Sequence, residues 1–169
     1  MPDKDNRSPK HRRIYHIMSG FSSLLCTAFI WSNSLKNATE SGTDSGRVLS
    51  WLNKILEAIG LEPFLTSHLV RKCAHFSEFA LLGVLLTLTC LTARRRINPL
   101  YIAAPVSLAI ACTDEILQLF SPGRACQVTD MLLDLCGALT GIGLIMLIYV
   151  MIRKVSSAHK PLNEHPSEH

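Results

Sequence analysis

Four long stretches of the chain carry almost no charge. Between Arg13 and Lys36 the residues include Ile14, Phe21, Leu24, Leu25, Phe29, Ile30 and Trp31. A second run extends from Glu78 to Arg94, a third lies between Arg96 and Asp114, and a fourth between Asp134 and Arg153. A helix needs roughly 20 residues to cross a hydrocarbon core about 30 Å thick. Each run is at or near that length once its polar outer turn is counted. The pattern predicts an all-α integral membrane bundle of four transmembrane helices, over about 13–34, 67–93, 99–120 and 129–152. Basic residues lead the first run as they would a signal peptide. That run is too long for a typical signal core and no A-x-A-like site ends it, so it is read as a retained helix.

The connecting segments have their own patterns. Residues 37–46 are rich in Ser, Thr, Gly and Asp and read as an outer loop. From Arg47 to Ile59, Val48, Leu52, Ile55 and Ile59 recur at helical spacing, opposite Arg47, Ser50, Lys54 and Glu57. Such a segment is too short to span, and an amphipathic helix lying in the outer interface, with Trp51 near the headgroups, satisfies both length and pattern. Pro99 suits a first helical turn, Ser121-Pro122-Gly123 a tight turn, and Pro105 a kink. The tails, 1–12 and 156–169, are polar and are expected to be cytoplasmic and poorly ordered. His159, His165 and His169 lack metal-ligand spacing. Residues 13–155 then form one membrane domain.

Charge sets the orientation. Lys4, Arg7, Lys10, Arg12 and Arg13 precede the first run, Arg94, Arg95 and Arg96 separate the second from the third, and Arg153, Lys154 and Lys160 follow the fourth. Eleven of the 17 Lys and Arg thus lie in short segments on one side, which the positive-inside rule makes the cytoplasm, with both termini there. The net charge of +4 does not point to nucleic acid, because no basic patch is interleaved with aromatics. Most of the six cysteines fall in or beside apolar runs, and neither a disulfide framework nor a C-x-x-C zinc spacing is present.

With that topology, a scattered set of polar residues gathers at one end of the bundle. The second helix brings Arg71, Lys72, His75 and Glu78, the third Asp114, Glu115 and Gln118, the following turn Arg124, and the fourth helix Asp130 and Asp134. Residues 71, 75 and 78 share a helical face, as do 130 and 134, whose stripe continues through Gly137 and Gly141. Charged side chains within a membrane cost at least a few kcal/mol on insertion scales, so they normally face the protein interior and mark ion, proton or substrate chemistry. The small residues of the stripe let a neighbouring helix approach. Each residue also has a plainer role: Arg71 and Lys72 as snorkelling anchors, His75 with Glu78 as a structural pair, and Asp130 as an N-terminal helix carboxylate.

The stretches R-K-C-A-H-F-S-E-F-A-L-L-G at 71–83 and T-D-E-I-L-Q-L-F-S-P-G-R-A-C-Q-V-T-D-M-L-L-D-L-C-G-A-L-T-G at 113–141 resemble the VanZ-like family of bacterial membrane proteins, named for a teicoplanin-resistance protein. The resemblance rests on K-x-x-H-F-x-E-[FY], D-E-x-x-Q-x-F-x-P-x-R and D-x-x-x-[DN]-x-x-G. Lys72, His75, Phe76, Glu78, Phe79, Asp114, Glu115, Gln118, Phe120, Pro122, Arg124, Asp130, Asp134 and Gly137 match these patterns. Many relatives read Ser-Gly after the arginine, where this chain has Ala125-Cys126. The resemblance implies a multi-pass cell-envelope protein of the bacterial cytoplasmic membrane, linked in some members to glycopeptide susceptibility, and it transfers no catalytic mechanism.

Two functional expectations follow. In the first, an outer-leaflet site binds or processes an anionic lipid-linked envelope component. Arg71, Lys72, Gln118, Arg124, Asp130 and Asp134 would bind it, and His75 with Glu78 or Asp114 would act as acid and base. A variant places a divalent cation, Mg²⁺, Mn²⁺ or Ca²⁺, on Asp114, Glu115, Asp130 and Asp134. In the second, the polar cluster is a structural ion-pair network in a non-enzymatic protein that binds membrane lipid, a glycopeptide or another membrane protein. A transporter fits less well, because no pair of matching broken helices is present, although a dimer would supply a path. The oligomeric state is left open.

Overall fold

The computed structural model describes residues 9–93 and 97–158. It contains five helices, α1 (Pro9–Ser34), α2 (Ala38–Ala58), α3 (Ser67–Thr92), α4 (Leu100–Gln118) and α5 (Val128–Ala158). Four of these, α1, α3, α4 and α5, are long and apolar enough to cross a membrane. The Arg94–Arg96 triplet and the outermost tails, including His159, His165 and His169, lie outside the described residues.

Local chemistry sets the helix ends. The Thr66 hydroxyl accepts a bond from the Leu69 N–H (3.2 Å) to start α3, and Asn98 Oδ1 accepts from the Leu100 N–H (3.0 Å) ahead of α4. Both supply donors that the first turn of a helix leaves orphaned. Pro105 lies inside α4, which continues past it. The turn after α4 uses Gly123 at φ 77, a left-handed conformation that glycine adopts without steric cost.

The expected outer loop at 37–46 is instead the first half of α2. Asn37 Oδ1 accepts from the Glu40 N–H (2.8 Å) while Glu40 Oε2 accepts from the Asn37 N–H (3.2 Å), a reciprocal cap that starts the helix at Ala38 rather than the expected 47. Lys36 then bonds Asp44 at 2.8 Å. That ammonium holds the Asp44 carboxyl below its usual range. The amphipathic part of α2 is as expected, with Val48 and Leu52 on one side of a groove and Trp51 well exposed. Two further bounds move. α1 begins at Pro9 rather than 13, and α5 continues to Ala158, through residues assigned to the tail.

α1 and α3 run antiparallel. His16 Nδ1, near the start of α1, lies 3.2 Å from the Thr89 carbonyl near the end of α3, and Asn33, at the end of α1, reaches Glu78. Ile30, Phe79, Leu82, Ala111 and Ala138 form the small buried core between them and α4 and α5. Large side chains such as Phe21, Leu24, Leu144 and Leu147 stay exposed on the outside, as suits a surface facing acyl chains rather than water.

The tightest contact is between α3 and α5. A Cβ placed on Gly137 would overlap the Phe76 carbonyl, one on Gly141 the Ala80 carbonyl, and one on Gly83 the Ala138 carbonyl. Backbone thus lies on backbone over about two turns of α3 and one turn of α5, the small-residue contact expected where no hydrophobic force drives apolar helices together in lipid. Gly137→Val is expected to force the helices apart and cost at least about 1–3 kcal/mol, the usual range for overpacking. Denaturant unfolding in micelles measures it, and wild-type stability would show that the contact is not tight.

Candidate functional site

α1 and α4 end, and α3 and α5 begin, at the same end of the bundle, and the polar residues converge there. Asp114 and Glu115 are fully buried, Asp134 and Gln118 nearly so. Asp114 sits at the centre. Its Oδ1 accepts a 2.6 Å bond from the Ser34 hydroxyl and its Oδ2 a 3.1 Å bond from the Gln118 amide. The same amide donates to Glu115 Oε1 (2.9 Å), and Glu115 Oε2 takes the Gln127 backbone N–H (2.8 Å). One glutamine therefore bridges two adjacent carboxylates, and the second of these fixes the loop that leads into α5. Lys72 pairs with Asp130 at 2.9 Å, joining α3 to α5.

Arg124 has an unexpected partner. Its Nη1 donates to the Ser34 carbonyl at 3.1 Å and the Asn33 carbonyl at 3.4 Å, and the Ser121 hydroxyl donates to Ser34 as well (3.0 Å). The last carbonyls of a helix have no partner within it, so the α4–α5 turn caps α1. Burial and the neighbouring Arg71 lower the Arg124 pKa from its ordinary value, against the pull of Asp114, Glu115 and Asp130. A guanidinium stays charged through such a shift.

The remaining groups are incompletely satisfied. Glu78 Oε1 accepts from Asn33 Nδ2 (3.0 Å), while Glu78 Oε2, His75 Nδ1 and Asp134 Oδ1 are buried with no hydrogen-bond partner among the described residues. Such orphaned atoms are few in native proteins and each calls for an explanation. They border two spaces. One is a groove of about 530 Å³ between α1, α2 and α3, with apolar walls that include Phe29, Val48, Leu52 and Leu69 and a polar end at Asn33, Lys36, Arg71, His75 and Glu78. The other is a void of about 10 Å³ inside the cluster, lined by residues that include His75, Glu115, Arg124 and Asp134. Arg71 and His75 line both.

The candidate residues therefore separate into groups. Arg71, His75 and Glu78 face the groove. Asp114, Glu115, Gln118, Asp130, Asp134, Lys72 and Arg124 surround the void or bond within it. Of the four carboxylates considered for a cation, Glu115 and Asp130 are taken up by Gln118, Gln127 and Lys72, while Asp114 and Asp134 approach each other and His75. Sequence reasoning missed the contribution of α1, namely Asn33 and Ser34, together with Ser121 and Gln127. The polar triplet Ser32-Asn33-Ser34 ending an otherwise apolar run was the available signal, since a hydroxyl and an amide at a helix end in a membrane need partners.

A bundle of four spanning helices with a buried, partly unsatisfied carboxylate cluster at one end and an apolar groove opening beside it defines a small polytopic membrane protein with a polar intramembrane site. The family described as VanZ/LLP1 matches residues 20–149, and the chain belongs to this VanZ-like family. That span covers every residue of the cluster. No curated protein and no solved structure shows significant similarity to the chain.

The capping role of Arg124 gives a direct expectation. Arg124→Gln, which removes the charged donor from the α1 carbonyls, should lower stability by about 1.5–3 kcal/mol, the range for hydrogen bonds to charged groups. Unfolding of the purified variant in micelles tests this. A variant as stable as wild type would mean that the cap carries no weight.

Proposed function

We propose that this protein binds an anionic lipid-linked component of the bacterial cell envelope, at the outer leaflet of the cytoplasmic membrane. The chain region seats in the groove and the headgroup meets Arg71, His75 and Glu78. The observation that carries this reading is the continuity of the groove with the polar cluster through Arg71 and His75. A lipid has this two-part chemistry. Its hydrocarbon suits walls such as Phe29, Val48, Leu52 and Leu69, and its phosphate or carboxylate suits a guanidinium able to make paired bonds. The Lys36–Asp44 pair lies along the same groove and ties the start of α2 to the end of α1.

The void is too small for any headgroup, since about 10 Å³ is close to the space of one water. Lys72, Gln118, Arg124, Asp130 and Asp134 therefore act behind the binding surface, holding His75 and Glu78 in place. Glu78 Oε2 and His75 Nδ1 are left as the groups with capacity to take or give a proton at a bound headgroup. The placement of both termini in the cytoplasm and an effect on susceptibility to glycopeptides such as teicoplanin belong to this same proposal.

Photoreactive phosphatidylglycerol offered in nanodiscs is expected to label groove residues such as Val48, Leu52 and Leu69 several-fold more than photoreactive phosphatidylcholine does. Arg71→Ala should remove that preference without lowering abundance. Equal labelling by the two lipids, or labelling confined to the outer faces of α1 and α5, would count against the site.

A second reading is favoured by the bonds of Ser34, Arg124 and Gln118, which tie α1, α4 and the α4–α5 turn together. Here the cluster is a structural network in a non-enzymatic membrane binding protein or scaffold. Glu78→Gln and Asp134→Asn separate the two. Near-normal abundance and unfolding with loss of the envelope phenotype supports a working site, and loss of stability by about 1–3 kcal/mol supports the network, in which Asn33 loses its charged acceptor at Glu78.

A further inference from the structure

We propose that His75, Asp114 and Asp134 form a three-ligand site for a divalent transition-metal ion such as Zn²⁺ or Mn²⁺, with a fourth coordination position left for a water. The three side chains come from α3, α4 and α5, and each offers a donor atom within 4.8 Å of the other two. A tetrahedral ion about 2.1 Å from each donor needs donors roughly 3.4 Å apart, so modest side-chain rotation closes the set.

Three observations favour a cation over an internal hydrogen-bond network. Asp134 is 1 % exposed, its Oδ1 is buried, and no described residue donates a hydrogen bond to it. A carboxyl group buried in this way stays ionised only beside a counter-charge. Of the three cations that line the void, Lys72 is engaged by Asp130 and Arg124 by the α1 carbonyls, and Arg71 makes no bond or ion pair to Asp134 among the described residues. The adjoining void has room for a single small occupant and not for a larger ligand.

The surroundings also suit a metal. Both Asp114 oxygens are already hydrogen-bonded, by Ser34 and Gln118, and an ionised carboxylate has lone pairs to spare. Ligating carboxylates are commonly held in this way by a shell of outer partners. Two carboxylates and a neutral imidazole cancel the charge of a divalent ion. The imidazole selects transition ions over Ca²⁺ and Mg²⁺, which prefer oxygen donors throughout. Glu115 and Asp130 fall outside the set because the mutually close donor atoms are those of His75, Asp114 and Asp134. The site does not depend on lipid binding, though His75 places it at the end of the groove.

The full-length protein, purified in detergent without added lipid and stripped with chelator, is titrated with Zn²⁺ alone and with Co²⁺ alone as a spectroscopic stand-in. Wild type is expected to retain about one ion per chain after desalting, the complement of a single closed site. Asp134→Asn and His75→Gln should each lower retention at least tenfold, and Glu57→Gln, at an acidic residue of α2 outside the cluster, should leave it unchanged. X-ray absorption of the Zn²⁺-loaded wild type should show one imidazole and otherwise oxygen donors, a readout that needs no variant to fold. Wild type that retains no ion, retention undiminished in Asp134→Asn, or a shell of two or more imidazoles from the tail histidines would each overturn the proposal. Loss of lipid labelling with metal retained would sink the lipid reading alone.

Discussion

The arrangement depends on the backbone contact between α3 and α5. Gly83, Gly137 and Gly141 leave no room for a side chain where the two helices cross. In lipid the surrounding tails are as apolar as leucine, so close packing has to hold the helices together. The crossing begins beside His75 on α3, at Phe76, and about one turn inward from Asp134 on α5. It therefore decides whether those two groups meet. With a larger side chain at Gly137 the crossing would open beside Phe76, next to the histidine.

Around that contact the polar groups are distributed with little redundancy. The buried glutamine serves two carboxylates, one serine hydroxyl serves Asp114, and one guanidinium closes α1. In water each would have substitutes. Inside a bilayer an unsatisfied group costs several kcal/mol, so the arrangement is specified. The groups left unsatisfied, His75, Glu78 and Asp134, lie where the cluster adjoins the groove or the void. Within the cluster, the satisfied groups tie the helices together, and the proposed ligands are assigned to the exceptions.

Much of this was legible in the sequence. The four uncharged runs gave the spanning helices to within a few residues, because hydropathy over twenty residues is a strong signal. Helical spacing and antiparallel topology brought residues 71–78, 114–118 and 130–134 to one end. Two things were harder to read. Asn37-Ala-Thr-Glu40 opens α2 inside a segment whose Ser, Thr, Gly and Asp content reads as loop, because two capping bonds outweigh weak propensity. The part of α1 in the cluster was hidden because Asn33 and Ser34 are uncharged, and only the folded chain shows which carbonyls and carboxylates they meet. Likewise the division of the carboxylates depends on side-chain partners, which spacing along a helix does not reveal.

The capping of α1 by Arg124 also bears on how the chain is made. The N-terminal segment emerges first from the ribosome, while the residues that satisfy its last carbonyls lie some ninety positions downstream. The Asn33 carbonyl also accepts from the nearby Lys36 N–H, but until the third spanning segment has been inserted and the turn after it has formed, the Ser34 carbonyl lacks its donors from Ser121 and Arg124. Maturation of this bundle is then a closing of the earliest helix by nearly the latest loop. A nascent chain halted before that loop would hold a correctly inserted yet unfinished leading segment.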